Sequence, residues 1–417
     1  MIEFNDVPSP FCGIGTDDLS IQVDGLSLKV LANGCSVNTP LFEHPITDTQ
    51  ARVKGQCVSL DDAIAAAAEH LRRSQHTLIA GCATDVNGMR ALLSLADHTG
   101  AFVENINFSG ARNNFLALQD SGWMNTTLAE VKNRCDVLLV VGTDLEQFAP
   151  RFFERYLWTD AMFLVDSTQR HIIYLGKAPI GQAATSPTGK APQIIDCANE
   201  DLPEVLAVLR ALVKNRPIRA EHVANLAITE LSALAEQLKH ANYGVVTWAA
   251  GSLGHSNGEL SVQMLSEMVK DLNDYTRCSG LPLGGKEGDQ TANQVCGWTT
   301  GYPARLNFAQ GYPEYDPFLY DSAQLIANNE VDTLLWVHAF NVNALPPVTY
   351  LPTLVIGRSG MQFDTEPDVY IPIGTPGIDH TGHAYRMDNV VAIRLKKLRD
   401  SGLPSTADVL HRIQLAL

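Results

Sequence analysis

Hydrophobic and polar positions along the chain follow two rhythms. Residues 20–23 and 26–31 alternate apolar with polar on either side of Asp24-Gly25, which predicts a hairpin. Up to residue 55 the pattern stays one of short strands and turns. From Ser59 the period lengthens: residues 61–73 repeat at helical spacing behind Ser59 as N-cap, with an alanine-rich face. Short apolar runs then alternate with helical stretches. Strand 76–80 ends at Gly81, helix 87–98 and strand 101–104 follow, and helix 128–133 leads to the apolar strand 135–141 before Gly142. Strands are predicted again at 162–165 and 194–196, helices at 202–214 and 228–240, then strand 243–248 and helix 259–273. Residues 279–317, dense in glycine, proline and aromatics, read as one long irregular stretch of the functional or partner-covered kind. Helix 323–328 and strands 332–337 and 353–356 complete the pattern. Such alternation predicts parallel, doubly wound sheets. The expected fold is α/β, with two Rossmann-like doubly wound lobes and a small N-terminal domain. The expected division is 1–55, then 56–145 with 286–417 as one discontinuous lobe, and 146–285 as the other.

Composition narrows the function classes. The chain has 417 residues, a net charge of -16, and only 18% charged residues. That fraction lies below the roughly 25% of ordinary soluble chains, which suits a surface partly covered by something other than solvent. The acidic balance argues against nucleic acid, whose phosphates need clustered cations, and against an anionic membrane surface. Apolar runs such as Val137–Val141 fall far short of a membrane span, and the acidic start MIEFNDVPSP is no signal peptide, so a cytoplasmic location is expected. The eight cysteines include no CxxC pair, and six of them read as free buried thiols.

Several motifs could carry chemistry. Gly81-Cys-Ala-Thr-Asp85 and Gly142-Thr-Asp144 follow strands at their carboxyl ends, where α/β sheets bind ligands, but neither extends to a nucleotide fingerprint. Residues 251–258, Gly251-Ser-Leu-Gly254-His255-Ser-Asn-Gly258, join a strand to a helix. They are the best dinucleotide-type loop in the chain, with a plain glycine-rich connection as the competing account. His380 and His383 form an HxxH without a third metal ligand, and no serine or cysteine nucleophile signature is present. The segment Ser9-Pro-Phe-Cys12-Gly-Ile-Gly-Thr16-Asp17-Asp18, with Cys35 after Asn33-Gly34, has the layout of an iron–sulfur loop. Such a loop needs four thiolates, whereas Ser9 and Thr16 stand where two would be. It reads as a loop that kept its shape and lost its cluster.

These residues carry a resemblance that runs end to end. The Cys12 loop, Leu116-Ala-Leu-Gln119, residues 128–136, Gly251 to Gly258, Trp298-Thr-Thr-Gly-Tyr-Pro303, Gly311-Tyr-Pro-Glu-Tyr-Asp-Pro317, Pro376-Gly-Ile-Asp379 and Tyr385-Arg-Met-Asp388 occur in order. Together they resemble the B subunits of formylmethanofuran dehydrogenases, in the molybdopterin oxidoreductase superfamily. They are still more similar to the B subunit of the bacterial formyltransferase/hydrolase complex of methylotrophs. Redox members of the family are implied to hold a [4Fe–4S] cluster on N-terminal cysteines and a molybdo- or tungstopterin between two lobes, with a Cys or selenocysteine on the metal.

That ligand should fall just before Leu116, yet residues 107–115 contain no cysteine. The family's strand-end pattern is replaced by residues 142–150, whose Asp144 and Glu146 would repel a pterin pyrophosphate, and the second by His338-Ala-Phe-Asn-Val-Asn343. The resemblance therefore implies a non-redox subunit without an active site of its own. It would serve a complex that passes formyl groups from tetrahydromethanopterin through a methanofuran-like carrier to formate in formaldehyde oxidation. Its partners would be the other subunits, and its role structural, with carrier docking through Lys286, Arg305 and Arg112 onto a polyglutamyl tail. Gly251, Gly254 and Gly258 would be a former pterin loop; Ser9, Cys12, Thr16 and Cys35 would be degenerate cluster positions. No redox cofactor or metal is expected. The alternative is an active molybdo- or tungstopterin formylmethanofuran dehydrogenase component.

Overall fold

The computed structural model describes residues 1–254 and 258–417, which form two compact units: 1–108 with 285–417, and 109–284. His255, Ser256 and Asn257 of the glycine-rich loop lie outside the described residues.

The first unit is built on a nine-stranded sheet. Its parallel centre runs in the order Phe102–Val103, Thr77–Ala83, Thr333–His338, Thr353–Arg358, Val369–Ile373. Short antiparallel strands close both edges, Leu306–Asn307 and Glu314–Tyr315 on one side, Ala51–Val53 and Gln56–Val58 on the other. From Thr77–Ala83 the chain winds outward one way, and from Thr333–His338 the other, so the strand order switches direction between these neighbours. The helices that cover the sheet are capped as the sequence leads one to expect. Ser59 accepts from the Asp62 N–H to start Leu60–Arg73, which buries Ala63, Ile64, Ala67, Ala68 and Leu71. Asp85 accepts from Gly88 N–H to start Val86–Thr99, which stops at Gly100 in the left-handed region.

The predicted hairpin is present as Leu19–Asp24 paired with Ser27–Ala32, and Ile2–Val7 adds a third antiparallel strand. This small sheet is not an independent domain. Phe11, Leu19, Ile21 and Phe42 share one buried cluster with Ala83, Phe340, Ile378 and Leu398 of the main sheet and its loops.

The second unit holds a five-stranded, wholly parallel sheet in the order Gln193–Ile195, His171–Leu175, Val137–Val141, Tyr243–Ala249, Arg277–Leu283. Its central strands are buried on both faces, which is why Val137–Val141 reads as an unbroken apolar run. Leu139, Val246, Leu206, Leu209, Leu234 and Leu265 belong to one core cluster between the sheet and its helices. Here too the winding reverses, between Val137–Val141 and Tyr243–Ala249.

The structure corrects three expectations. The boundary of the discontinuous lobe lies at 108/109 rather than 145, because Val137–Val141 pairs inside the five-stranded sheet. No strand forms at 162–165; Met162, Phe163 and Val165 are exposed, and His171–Leu175 takes the place beside Val137–Val141. The stretch 279–317 is largely ordered. Arg277–Leu283 is an edge strand, which tolerates Pro282, and Asp289–Thr300 is a helix framed by Gly288 and Gly301 in left-handed conformations. His383 of the HxxH sits on strand Gly382–Tyr385. None of the described helices is long and apolar enough to cross a membrane.

Candidate functional site

In open parallel sheets, ligands bind outside the carboxyl ends of strands at the point where the winding reverses. Each unit has one such point, and at each the chain supplies side chains that bond the backbone there.

In the second unit the strand ends are Gly142-Thr-Asp144 and the 250–254 turn. Asn199 bridges them, its Nδ2 donating to the carbonyls of Gly142 (3.2 Å) and Ser252 (2.9 Å). Asp144 accepts from the N–H groups of Glu146 and Gln147, and its second oxygen accepts from Ile180 N–H at 2.9 Å. The Glu146 carboxylate accepts from Ala183 N–H at 2.9 Å, and a Cβ on Gly181 would overlap it. The carboxylates thus occupy backbone donors of the 177–183 loop, the kind of donors that would otherwise serve an anion.

The glycines expected to approach a pterin approach a helix instead. A Cβ on Gly110 of helix Phe108–Ser121 would stand 3.3 Å from Gly251 Cα, and one on Gly258 would overlap the Leu253 carbonyl and Asn113. Asn114 accepts from the Trp248 indole at 2.9 Å. Among the described residues, a Cβ on Gly254 would meet the Gly251 carbonyl at 3.4 Å. The tight contacts account for glycine at 110 and 258 without any ligand, whereas a Cβ on Gly251 or Gly254 would make only ordinary van der Waals contact. Gly81 is explained in the same way: its φ is +82°, and a Cβ would meet the Val337 carbonyl at 2.7 Å where the sheet register shifts.

In the first unit the reversal point is covered by the loop 284–289. Gly288, at φ +76°, lets the loop pass where a Cβ would meet Phe340 and the Thr84 carbonyl. His338 ends its strand fully buried. Its Nδ1 accepts from the N–H groups of Phe340 and Asn341, which leaves the ring proton on Nε2, 3.8 Å from Glu287. Glu287 also accepts from Asn341 Nδ2 at 2.8 Å; burial opposes its ionisation, but these donors hold its pKa below the usual range. Asp289 accepts from Gly285 N–H at 2.7 Å, and its burial pushes the pKa up to about 7.

The three cations expected to face a carrier divide as follows. Lys286 is half-buried at this loop; burial lowers its pKa, and Glu287 and Asp289 oppose the shift. Arg305 is fully buried and cannot meet a carrier. It pairs with Glu104 at 2.5 Å and with Asp321, donates to the Pro317 carbonyl, and lies 4.9 Å over the Phe108 ring. Arg112 lies in the second unit, on helix Phe108–Ser121. The sequence offers no sign that Arg305 is interior, because Glu104 lies about two hundred positions away and meets it only in the folded sheet.

The N-terminal positions do come together. Ser9 Oγ donates to Asn38 Oδ1 at 2.7 Å, Ser9 N–H to the Thr16 carbonyl at 2.7 Å, Thr16 N–H to Cys12 Sγ and Asn38 N–H to Cys35 Sγ, both at 3.4 Å. The two sulfurs accept backbone hydrogen bonds, while the hydroxyls at Ser9 and Thr16 give hard neutral oxygens that do not suit iron. Among the described residues no group of three or more His, Cys, Asp or Glu side chains is placed to hold a metal ion. His380 is turned to backbone, its ring nitrogens meeting the carbonyls of Thr381 and Gly374. The residues present do not fit a cluster at the N-terminal loop or a pterin pyrophosphate at the Asp144 turn.

No family model matches the chain. The B subunit of the tungsten-containing formylmethanofuran dehydrogenase 2 of Methanocaldococcus jannaschii is 26% identical over 411 residues, covering 95% of this chain and 93% of the relative. The B subunit of the formyltransferase/hydrolase complex Fhc of Methylorubrum extorquens is 31% identical over 334 residues, 78% of this chain and 85% of the relative. Among solved structures, the crystal structure of that complex, FhcABCD with methylofuran, superposes with a TM-score of 0.74 at 28% identity, over 87% of this chain and 97% of the other. Acetylene hydratase from Pelobacter acetylenicus, at 9% identity and a TM-score of 0.67 over 99% of this chain and 69% of the other, shows a common fold alone.

Two outcomes follow from these contacts. Replacing Glu146 by Gln weakens the bond that seats the 177–183 loop by about 1–2 kcal/mol, which multiplies the opened population roughly five- to thirty-fold. Limited trypsin cleavage after exposed Lys177 rises by that factor. Asp289, with its pKa raised in the fold, binds more protons folded than unfolded between pH 4 and 7. Its effect on stability is therefore least unfavourable below about pH 4 and worsens as pH rises toward 7. Urea melts of Asp289→Asn against wild type across that window show the variant gaining, relative to wild type, by as much as roughly 4 kcal/mol.

Proposed function

The chain belongs to the family of formylmethanofuran dehydrogenase and formyltransferase/hydrolase complex B subunits, and we propose that it is the non-redox member of a formyltransferase/hydrolase complex. One observation carries this reading: at the reversal point of the second unit, the chain's own Asp144 and Glu146 occupy the backbone donors that an anionic cofactor would need. Two further features of the sequence support it independently. Residues 107–115 offer no cysteine for a pterin-bound metal, and Ser9 and Thr16 replace two of four cluster thiolates. The fold of a dehydrogenase component is thereby kept as a scaffold. On this reading residues 1–55 derive from an iron–sulfur domain whose loop geometry persists in the N–H···S contacts of Cys12 and Cys35.

The complex would pass a formyl group to a methanofuran-like carrier and on to formate, with both reactions on other subunits. For carrier docking, Lys286 in the first unit and Arg112 in the second are each a candidate contact for an anionic tail, while Arg305 is held in the interior by Glu104 and Asp321. The decisive measurement is elemental analysis of the purified complex together with its carrier content. Tungsten, molybdenum and iron are expected well below one atom per copy of this chain; stoichiometric tungsten or molybdenum would support the dehydrogenase alternative and sink this reading. Lys286→Glu is expected to lower the carrier retained by the complex, and unchanged retention removes the docking role while leaving the scaffold role standing.

A further inference from the structure

Two buried arginines of the first unit border the same small cavity as a single carboxylate, Asp379, which pairs with one of them. Arg399 donates from Nε to Asp379 at 2.8 Å and from Nη1 to the Leu26 carbonyl at 2.5 Å. Asp379 spends its other oxygen on Thr375 N–H at 2.8 Å. Arg358, at the carboxyl end of its strand, donates to carbonyls, those of Phe340 and Leu41, both at 2.5 Å, and its Cζ lies 5.6 Å from the ring of Phe11. Arg358 and Arg399 are 2% and 6% exposed, so solvent does little to screen them.

The two guanidiniums border a cavity of about 10 Å³, walled also by His44, Ser359, Thr375 and Asp379. That is the size of one water-sized particle. The Ser359 hydroxyl is turned to the Asp48 carbonyl, whereas His44 Nε2 is buried with no hydrogen-bond partner among the described residues. Burial, Arg358 and Arg399 together lower the His44 pKa, which disfavours a further positive charge on the imidazole. Burial also brings Arg358 down to about 10, Asp379 opposing and Arg399 reinforcing the shift. The walls thus carry two positive charges and one negative, with an unsatisfied imidazole nitrogen among them. A buried charge excess of this kind calls for a counter-ion.

We propose that the cavity binds one monoatomic anion, chloride, between His44, Arg358 and Arg399. The ion completes the charge balance of the pair, accepts from the His44 imidazole, and ties the segment around Leu26 and Leu41 to the strand ends of the main sheet.

The test uses the full chain and bromide as the probe. Crystals grown in sodium bromide are expected to show an anomalous peak between His44, Arg358 and Arg399; water-like density there without anomalous signal overturns the proposal. In solution, Tm is expected to rise saturably with chloride or bromide, but not with gluconate at equal ionic strength. A Tm indifferent to the anion's identity speaks equally against it. His44→Glu places a carboxylate in the cavity and is expected to abolish the halide dependence; a variant that folds and keeps the full dependence also overturns it. Should His44→Glu fail to fold, the wild-type anomalous measurement decides alone.

Discussion

A pair of parallel strands whose connections leave in opposite directions opens a crevice at its carboxyl end, lined by backbone donors and acceptors that must find partners. Both sheets of this protein obey that constraint, and in both the partners come from the chain. Asp144 and Glu146 take the N–H groups of Ile180 and Ala183 in one unit. In the other, the 284–289 loop brings Glu287 and Asp289 against His338, Asn341 and the Gly285 N–H. In the second unit Asp144 and Glu146 satisfy backbone donors from within the chain, whereas in the first the burial of Asp289 works against its ionisation.

How much of this is legible in sequence depends on whether the cause is local. Val137–Val141 and Tyr243–Ala249 stand out because strands buried on both faces are apolar throughout. His171–Leu175 does not stand out because His171 and Tyr174 interrupt its apolar run, although Tyr174 is buried against the sheet all the same. Arg277–Leu283 is masked by Gly280 and Pro282, residues that only an edge position or close packing explains. Helix Asp289–Thr300 is masked by the glycines at 288, 297 and 301, two of which are its terminal caps.

At the site the same division holds. Missing thiolates at Ser9, Thr16 and residues 107–115 are visible in the residues themselves. The partners of Arg305, Arg358 and Arg399 are not, because Glu104, Asp321, Leu41 and Leu26 approach through tertiary packing. An arginine in a loop looks like a surface cation until its neighbours are known, which is why Arg305 reads as a cleft residue and is found in the interior.

The buried charges have a consequence for how the protein meets others. Arg151, Arg170, Arg305, Arg358 and Arg399 are interior, and so are Asp85, Glu104, Asp271, Asp289 and Asp379. Formally these five cations and five carboxylates cancel, so the whole net charge of -16 resides on the solvent side. At that face the protein projects a negative field over roughly a Debye length, ~8 Å at physiological ionic strength. Encounters with acidic molecules are slowed by it and hasten as salt is added, while basic surfaces are drawn in. The interior arginines thus leave the exterior to sort approaching molecules by sign before any contact is made.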